Sequence, residues 1–318
     1  MKFVCYFIFT VSFLFSNASH SEESNQKIIK IGTGNKDALA YPIISSICDT
    51  FNRNNTYSSV SCQAISTEGS EDNLYGIISK KYDAGVIKAD MEYNAYNGIG
   101  LFAGKPYREL RTILGLHNEY LTIIVKNGTN IKSLNDFKNR RVYIGNKGSG
   151  SRVMVDKLFA ANGWKSKDFK EIYEEPSNKI YDLFCDNKID AAIYLIGHPN
   201  SIFLKTLKEC DTKLIGFSRQ EIEKYVDIFR HISPAVIRKG TYLGQKHDLQ
   251  TFASQLFLAT SANMDEETVY NFVKVISEHH RDLQDKNPTL KGTDLFGPDI
   301  DIIPMHKGAF RNFFYPTH

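Results

Sequence analysis

No CxxC pair occurs in the 318 residues, no GxSxG, and no internal repeat or low-complexity tract. The first absence, with no histidine at finger spacing, argues against a zinc site. The second removes the nucleophile elbow of the α/β-hydrolases, and the GSGS turn at 148–151 lacks the lysine of a phosphate loop. Without repeats, a solenoid or an adhesion array is excluded. Charge of one sign is lacking as well, since 39 Lys and Arg stand against 36 Asp and Glu for a net +3, and nothing points to nucleic acid. Past the first 15 residues no stretch approaches the ~18 apolar residues of a membrane span, so the exported product should be soluble.

What is present at the N-terminus is Met1-Lys2, the apolar run FVCYFIFTVSFLF ending at Phe15, and then Ser16, Asn17 and Ala18. The run is too short to span a bilayer and ends in small or polar residues, so residues 1–18 are expected to be a signal peptide. Cys5 lies inside the run rather than behind it, which argues against a lipid-modified cysteine. The exported chain keeps Cys48, Cys62, Cys185 and Cys210, which allow three pairings. Sequence proximity favours Cys48–Cys62 and Cys185–Cys210.

The most informative stretch is RVYIGNKGSGSRVMVDKLFAANG at 141–163. Val142, Tyr143 and Ile144 are β-prone, Gly145, Gly148 and Gly150 let the chain turn, and Ser149 or Ser151 can cap the helix whose Met154, Leu158 and Ala161 fall at helical spacing. A helix that opens straight out of a strand turns free N–H groups and a positive dipole end outward, which favours a carboxylate or phosphate, and Arg152 stands where it could complete the grip. An ordinary capped βα turn would carry the same residues.

Similar units recur. Lys27 to Ile31 leads through Gly32-Thr33-Gly34 to a helix entered at Pro42, and Val60 to Ile65 leads through Thr67-Glu68-Gly69-Ser70 to a helix from Glu71. Ala84 to Ile87 is a buried strand before Lys88-Ala89-Asp90 and a helix over Met91 to Tyr96, and Arg111 to Leu116 is a further strand. A second block follows from Tyr120 to Val125, with a short helix over 131–137 capped by Ser133, strands at 190–195 and 213–217, and the turn Gly197-His198-Pro199-Asn200 before a helix. Alternating strands and helices predict parallel α/β sheets, which bind ligands beyond the carboxyl ends of their strands. Ala235 to Lys239 and Thr251 to Thr260 read as extended, the latter as a return crossing to the first block. Glu266 to Leu283 reads as one long helix, and a tail rich in proline wraps from Pro288.

The residues resemble the extracytoplasmic solute receptors of TAXI type, the capturing component of tripartite ATP-independent periplasmic (TRAP) transporters. The resemblance covers 28–315 and rests on GTGNKDALAYP at 32–42, CQAISTEGSEDNL at 62–74, DAGVIKAD at 83–90, LRTILGLHNEYLTIIV at 110–125, NKGSGSR at 146–152, CDNKIDA at 185–191, GHPN at 197–200 and HKGAF at 306–310. It implies an α/β, two-lobed type II periplasmic-binding-protein fold with the ligand cleft between lobes: lobe 1 at 27–118 plus 252–318, and lobe 2 at 119–251. It implies a periplasmic, monomeric, non-enzymatic receptor without cofactor or metal. Such a receptor captures a small anionic or zwitterionic ligand, either an amino acid like glutamate or glutamine or a dicarboxylate, by lobe closure, and hands it to integral-membrane TRAP permease subunits. Its pattern also suggests the two cysteine pairings favoured by proximity. The rival reading is a secreted α/β hydrolase or transferase using the Ser-rich turns.

The expected ligand contacts from lobe 1 are Thr33, Gly34, Tyr41, Ser70, Asn73, Lys88 and Asp90. From lobe 2 they are Gly148, Ser149, Gly150, Ser151, Arg152 and His198. Lys88 stands where the family tends to carry an uncharged amide, and with Arg152 it is expected to supply the positive contacts, one from each lobe. Glu71 and Asp72 already complement their own helix N-terminus and compete with an anion there. His117 and Glu119 lie beside the expected hinge, where a hydrogen bond between them would be structural. His306 is taken as structural, and His279-His280, at i and i+1 on a helix, point apart and make no metal pair.

Overall fold

Two long strands organise the chain in the computed structural model, which describes residues 27–315 except 37, 58, 148, 230, 292–294 and 296–301. The expected signal peptide and Gly148 lie outside the described residues. Strand β4 runs over Leu110–Lys126 and β10 over Leu249–Ser261, antiparallel to each other. At ~3.3 Å per residue the 17 residues of β4 reach roughly 55 Å, enough to serve two sheets in succession.

On one side, β1 (Ile28–Gly32), β2 (Ser61–Ile65) and β3 (Ala84–Lys88) pair in parallel, and β3 joins antiparallel to β10. On the other, β5 (Arg141–Tyr143), β6 (Glu171–Tyr173) and β7 (Ala191–Ile196) pair in parallel, and β7 joins antiparallel to β4. The order is β2-β1-β3-β10-β4-β7-β5-β6, with β8 (Thr212–Ile215) on β4 and β9 (Ser233–Ile237) on β10. The parallel sets are therefore joined by antiparallel crossings, a mixed sheet where the strand–helix alternation alone predicts a parallel one. The two stretches expected as separate strands at 111–116 and 120–125 are one strand, because Asn118, Glu119 and Tyr120 continue the ladder with β10.

Each set has its own core. Ile43, Ile44, Ile47 and Phe51 fall on one face of α1 (Ala40–Asn54) and bury against Ile29, Ile31, Val86 and Leu258. Val155 and Leu158 of α4 (Gly150–Ala161) bury against Ile123, Val142 and Ile193. Disulfides Cys48–Cys62 and Cys185–Cys210 close separations of 14 and 25 residues, one within each set. By chain entropy each contributes about 3 kcal/mol.

Helices α2 (Ser70–Ile78) and α3 (Ala89–Asn97) follow β2 and β3; α5 (Ile180–Cys185), α6 (Ser201–Glu209) and α7 (Arg219–Ile228) belong to the second set. The single helix expected over 266–283 is divided into α8 (Glu266–Glu278) and α9 (His280–Lys286), because His279 leaves helical geometry at φ −111°. The tail also forms α10 (Lys307–Phe314), capped by the His306 ring accepting from Gly308 N–H, which the proline content masks. Gly308 lets α10 lie on α8: a Cβ there would stand 2.3 Å from the Glu266 carbonyl oxygen and 2.8 Å from the Tyr270 nitrogen. Backbone cannot swing aside as a side chain can, so Gly308→Ala is expected to cost about 1–3 kcal/mol. An unchanged melting temperature would show that the tail docks loosely.

Candidate functional site

Where the two parallel sets meet at the crossing strands, three polar side chains converge. Lys88 ends β3, and β4 carries His117 and Glu119 two residues apart, hence on one face. Glu119 Oε2 lies 2.7 Å from Lys88 Nζ, with the two side chains 20% and 17% exposed. The approach is off the angle of a directed hydrogen bond, so the contact is ionic. Lys88 Nζ would lie 2.6 Å from a Cβ at Gly150, so glycine is the residue that lets the ammonium rest over the first turn of α4. That helix end is itself positive, and Glu119 is what holds a cation there.

His117 is fully buried, and neither ring nitrogen has a hydrogen-bond partner. Burial pushes its pKa down, with Glu119 opposing and Lys88 assisting, so the ring is neutral and offers one N–H and one lone pair. It packs where a Cβ at Gly197 would meet Leu39, Thr289 and the His117 ring within 2.6–3.2 Å. Leu39 precedes α1 and Gly197 follows β7, so this ring sits between the two sets. The expected structural hydrogen bond between His117 and Glu119 is not made. Two unpartnered groups in a dry site cost roughly 1–3 kcal/mol each, which a ligand that pairs with them would recover.

The other expected contacts are placed less openly. Arg152 Nε donates to Asp156 at 2.8 Å and Nη1 donates to Glu174, which Lys147 also meets at 3.1 Å. The guanidinium expected to hold an anion is thus already countered twice by carboxylates of its own side. Asp90, on α3, pairs with Lys157 of α4 at 3.0 Å, a contact from one set to the other. Ser149 is the helix cap, its Oγ accepting from Arg152 N–H at 3.1 Å. Ser151 is buried and accepts from the Leu195 N–H, tying α4 to β7.

On the first side, Thr33 Oγ1 donates to the Ile65 carbonyl, and the Gly34 carbonyl accepts from Thr67 N–H. Asn73 was expected in the cleft and belongs instead to the frame. It is wholly buried, donates to the carbonyls of Thr33 and Val86, and accepts from Thr67 Oγ1, bracing the ends of three strands. Gly32 is small for that reason, since a Cβ would stand 2.3 Å from Asn73 Oδ1. Ser70 Oγ accepts from Lys88 N–H at 3.1 Å, fixing the root of the lysine rather than facing a ligand. Tyr41 is half-buried in the first turn of α1.

His198 is engaged through both nitrogens, to Thr122 Oγ1 at 2.8 Å and to the Tyr242 hydroxyl, and burial lowers its pKa to about 3. It braces the turn and is neutral at ordinary pH. From sequence alone His117 and Glu119 read as a structural pair beside the expected hinge. The signal for them was a His-x-Glu pair at i, i+2 inside an otherwise apolar extended stretch. Among the described residues no group of three His, Cys, Asp or Glu is placed to hold a metal ion, and no helix is long and apolar enough to cross a membrane.

Among solved structures, one described as the basis of glutathione import in Gram-positive bacteria via GshT and the cystine ABC importer TcyBC of Streptococcus mutans is similar. It is 14% identical with a TM-score of 0.50, over 87% of this chain and 100% of that one. The periplasmic aliphatic sulphonate binding protein SsuA from Escherichia coli is 13% identical with a TM-score of 0.47, over 92% of this chain and 84% of that one. The first likeness, with the two parallel sets on shared crossing strands, shows the two-lobed type II periplasmic-binding-protein fold expected from the sequence. Residues 31–314 match the model of the NMT1-like family, and with nearly the whole described chain inside that match the protein belongs to the NMT1-like family.

Proposed function

We propose that the protein is an exported solute receptor that closes lobe 1 (27–118 plus 252–318) and lobe 2 (119–251) on a small zwitterionic ligand of amino-acid type. The observation that carries this reading is the buried, unpartnered His117 beside the Lys88–Glu119 pair at the N-terminus of α4. Lys88 and the helix end suit a carboxylate, and Glu119 suits an ammonium. Charges around the junction balance: Lys88 with Glu119, Asp90 with Lys157, and Arg152 and Lys147 with Asp156 and Glu174. A net-neutral ligand leaves that balance intact, whereas a dicarboxylate adds charge beyond what these already paired cations carry. Binding rather than hydrolysis is supported by Ser149 and Ser151, whose hydroxyls are taken up by helix capping and by β7.

The delivery partner is proposed to be a TRAP permease in the membrane facing the periplasm, reached through the signal peptide at 1–18, with the receptor a monomer. The import named for the Streptococcus mutans neighbour gives the second reading, an ABC-type importer; co-purification with each candidate permease separates the two.

Calorimetry of the chain lacking residues 1–18 against L-glutamate, L-glutamine and succinate tests the site. At least one amino acid should bind saturably and more tightly than succinate. Losing a hydrogen bond to a charged group costs roughly 1.5–3 kcal/mol, so Lys88→Gln should weaken that binding by about tenfold or more. Arg152→Ala should weaken it less, because two carboxylates, Asp156 and Glu174, already meet its charge, against one for Lys88. Equal binding of wild type and Lys88→Gln would remove the junction as the ligand site.

A further inference from the structure

Gln255 of β10 and Asn118 of β4 are direct partners in the ladder, while the next pair is Ser254 with Glu119. Side chains alternate along a strand, so both amides lie on the face opposite Glu119 and Lys88. The register between β10 and β4 shifts just after Gln255. There a cavity of about 470 Å³ opens, within the size range of small-molecule sites, lined by Asn118, Gln255, Ser233, Ala235, Ala253 and Ala89 among others. The Gln255 amide makes no hydrogen bond with the described residues. Among the described residues no Lys, Arg, Asp or Glu lines the cavity, and His231 is the titratable side chain in its wall. Ala89 comes from lobe 1 and Ser233 and Ala235 from β9, so the walls belong to both lobes.

We propose that this cavity is a second small-molecule site, for an uncharged polar ligand bearing hydroxyl or carboxamide groups. An amide offers both donor and acceptor, which matches such groups, whereas an ion would lose hydration that no permanently charged side chain among the described lining residues repays. The site is independent of the ionic junction, from which the crossing strands separate it.

The probes are D-ribose, glycerol and nicotinamide at millimolar concentration, with the chain lacking residues 1–18. At least one should give a saturable rise in melting temperature and nuclear Overhauser contacts to the methyl groups of Ala89, Ala235 and Ala253. Gln255→Leu should weaken that binding by tenfold or more, Ala235→Leu should abolish it by filling the space, and Lys88→Gln should leave it unchanged. The proposal is overturned if none of the three probes binds saturably, or if the methyl contacts are absent. It is equally overturned if binding survives both cavity substitutions or is lost in Lys88→Gln, which would put the probe at the ionic junction.

Discussion

The Glu92→Gln variant is expected to be more stable than the wild-type protein by about 3–4 kcal/mol at pH 8 and to match it at pH 4. Glu92 sits on α3 with no exposure, accepts from Thr112 Oγ1 at 2.8 Å through one oxygen, and has no partner for the other. Burial raises its pKa from 4.5 to about 8, the Thr112 hydroxyl opposing. The folded state therefore holds a proton that the unfolded chain releases above about pH 4.5, and stability falls as pH climbs from there to about 8, then levels off. Glutamine keeps the bond from Thr112, never ionises, and leaves one amide unpartnered where the acid leaves one hydroxyl. Urea unfolding of both proteins from pH 4 to pH 9 reads the effect directly. Parallel stability curves would mean that Glu92 is ionised in the folded protein and paired with something unseen.

The second large effect is on the acid side and has the opposite sign. His198 has its pKa lowered by burial from 6.5 to about 3, so below about pH 6.5 the unfolded chain takes up a proton that the folded protein refuses. The stability it contributes is complete above pH 6.5 and drains away as the pH falls toward 3, by about 2–3 kcal/mol allowing for a ring that is partly exposed. Between pH 4.5 and 6.5 the two groups pull against each other, so their combined contribution is flattest there and falls off on either side. The ring resonances of His198 in a proton NMR titration should stay those of neutral imidazole down to the onset of acid unfolding. A midpoint near 6 in the folded protein would refute the assignment.

How much of this was legible depended on distance along the chain. The 141–163 turn was, because Val142, Ser149, Arg152 and Leu158 are close neighbours whose strand, cap and helix are local matters. The role of Asn73 was not. Its three partners lie 6, 13 and 40 residues away, and STEGSEDN looks the same whether its asparagine faces a ligand or a neighbouring carbonyl. Arg152 shows the same limit, since Glu174, 22 residues on, neutralises it only once β6 lies beside β5. His117 and Glu119 stand out in the sequence as a polar pair in an apolar stretch. Their spacing predicted mutual pairing, and only the approach of Lys88 and Gly150 shows that the pairing is not made.

The crossing strands set the order in which the protein can be assembled. Strand β3 meets β1 over a short register, and its other edge waits for β10, where Lys88 pairs with Leu256 and the Thr260 hydroxyl donates to the Asp83 carbonyl 177 residues earlier. Until residue 261 is available, the first lobe carries an open, apolar strand edge, AGVIK, of the kind that recruits other chains. Closing so long a loop is slow, so refolding should be rate-limited by docking of β10 rather than by either lobe's helices. A chain truncated before Leu249 would present that edge permanently and should be recovered as aggregate, not as a smaller folded protein.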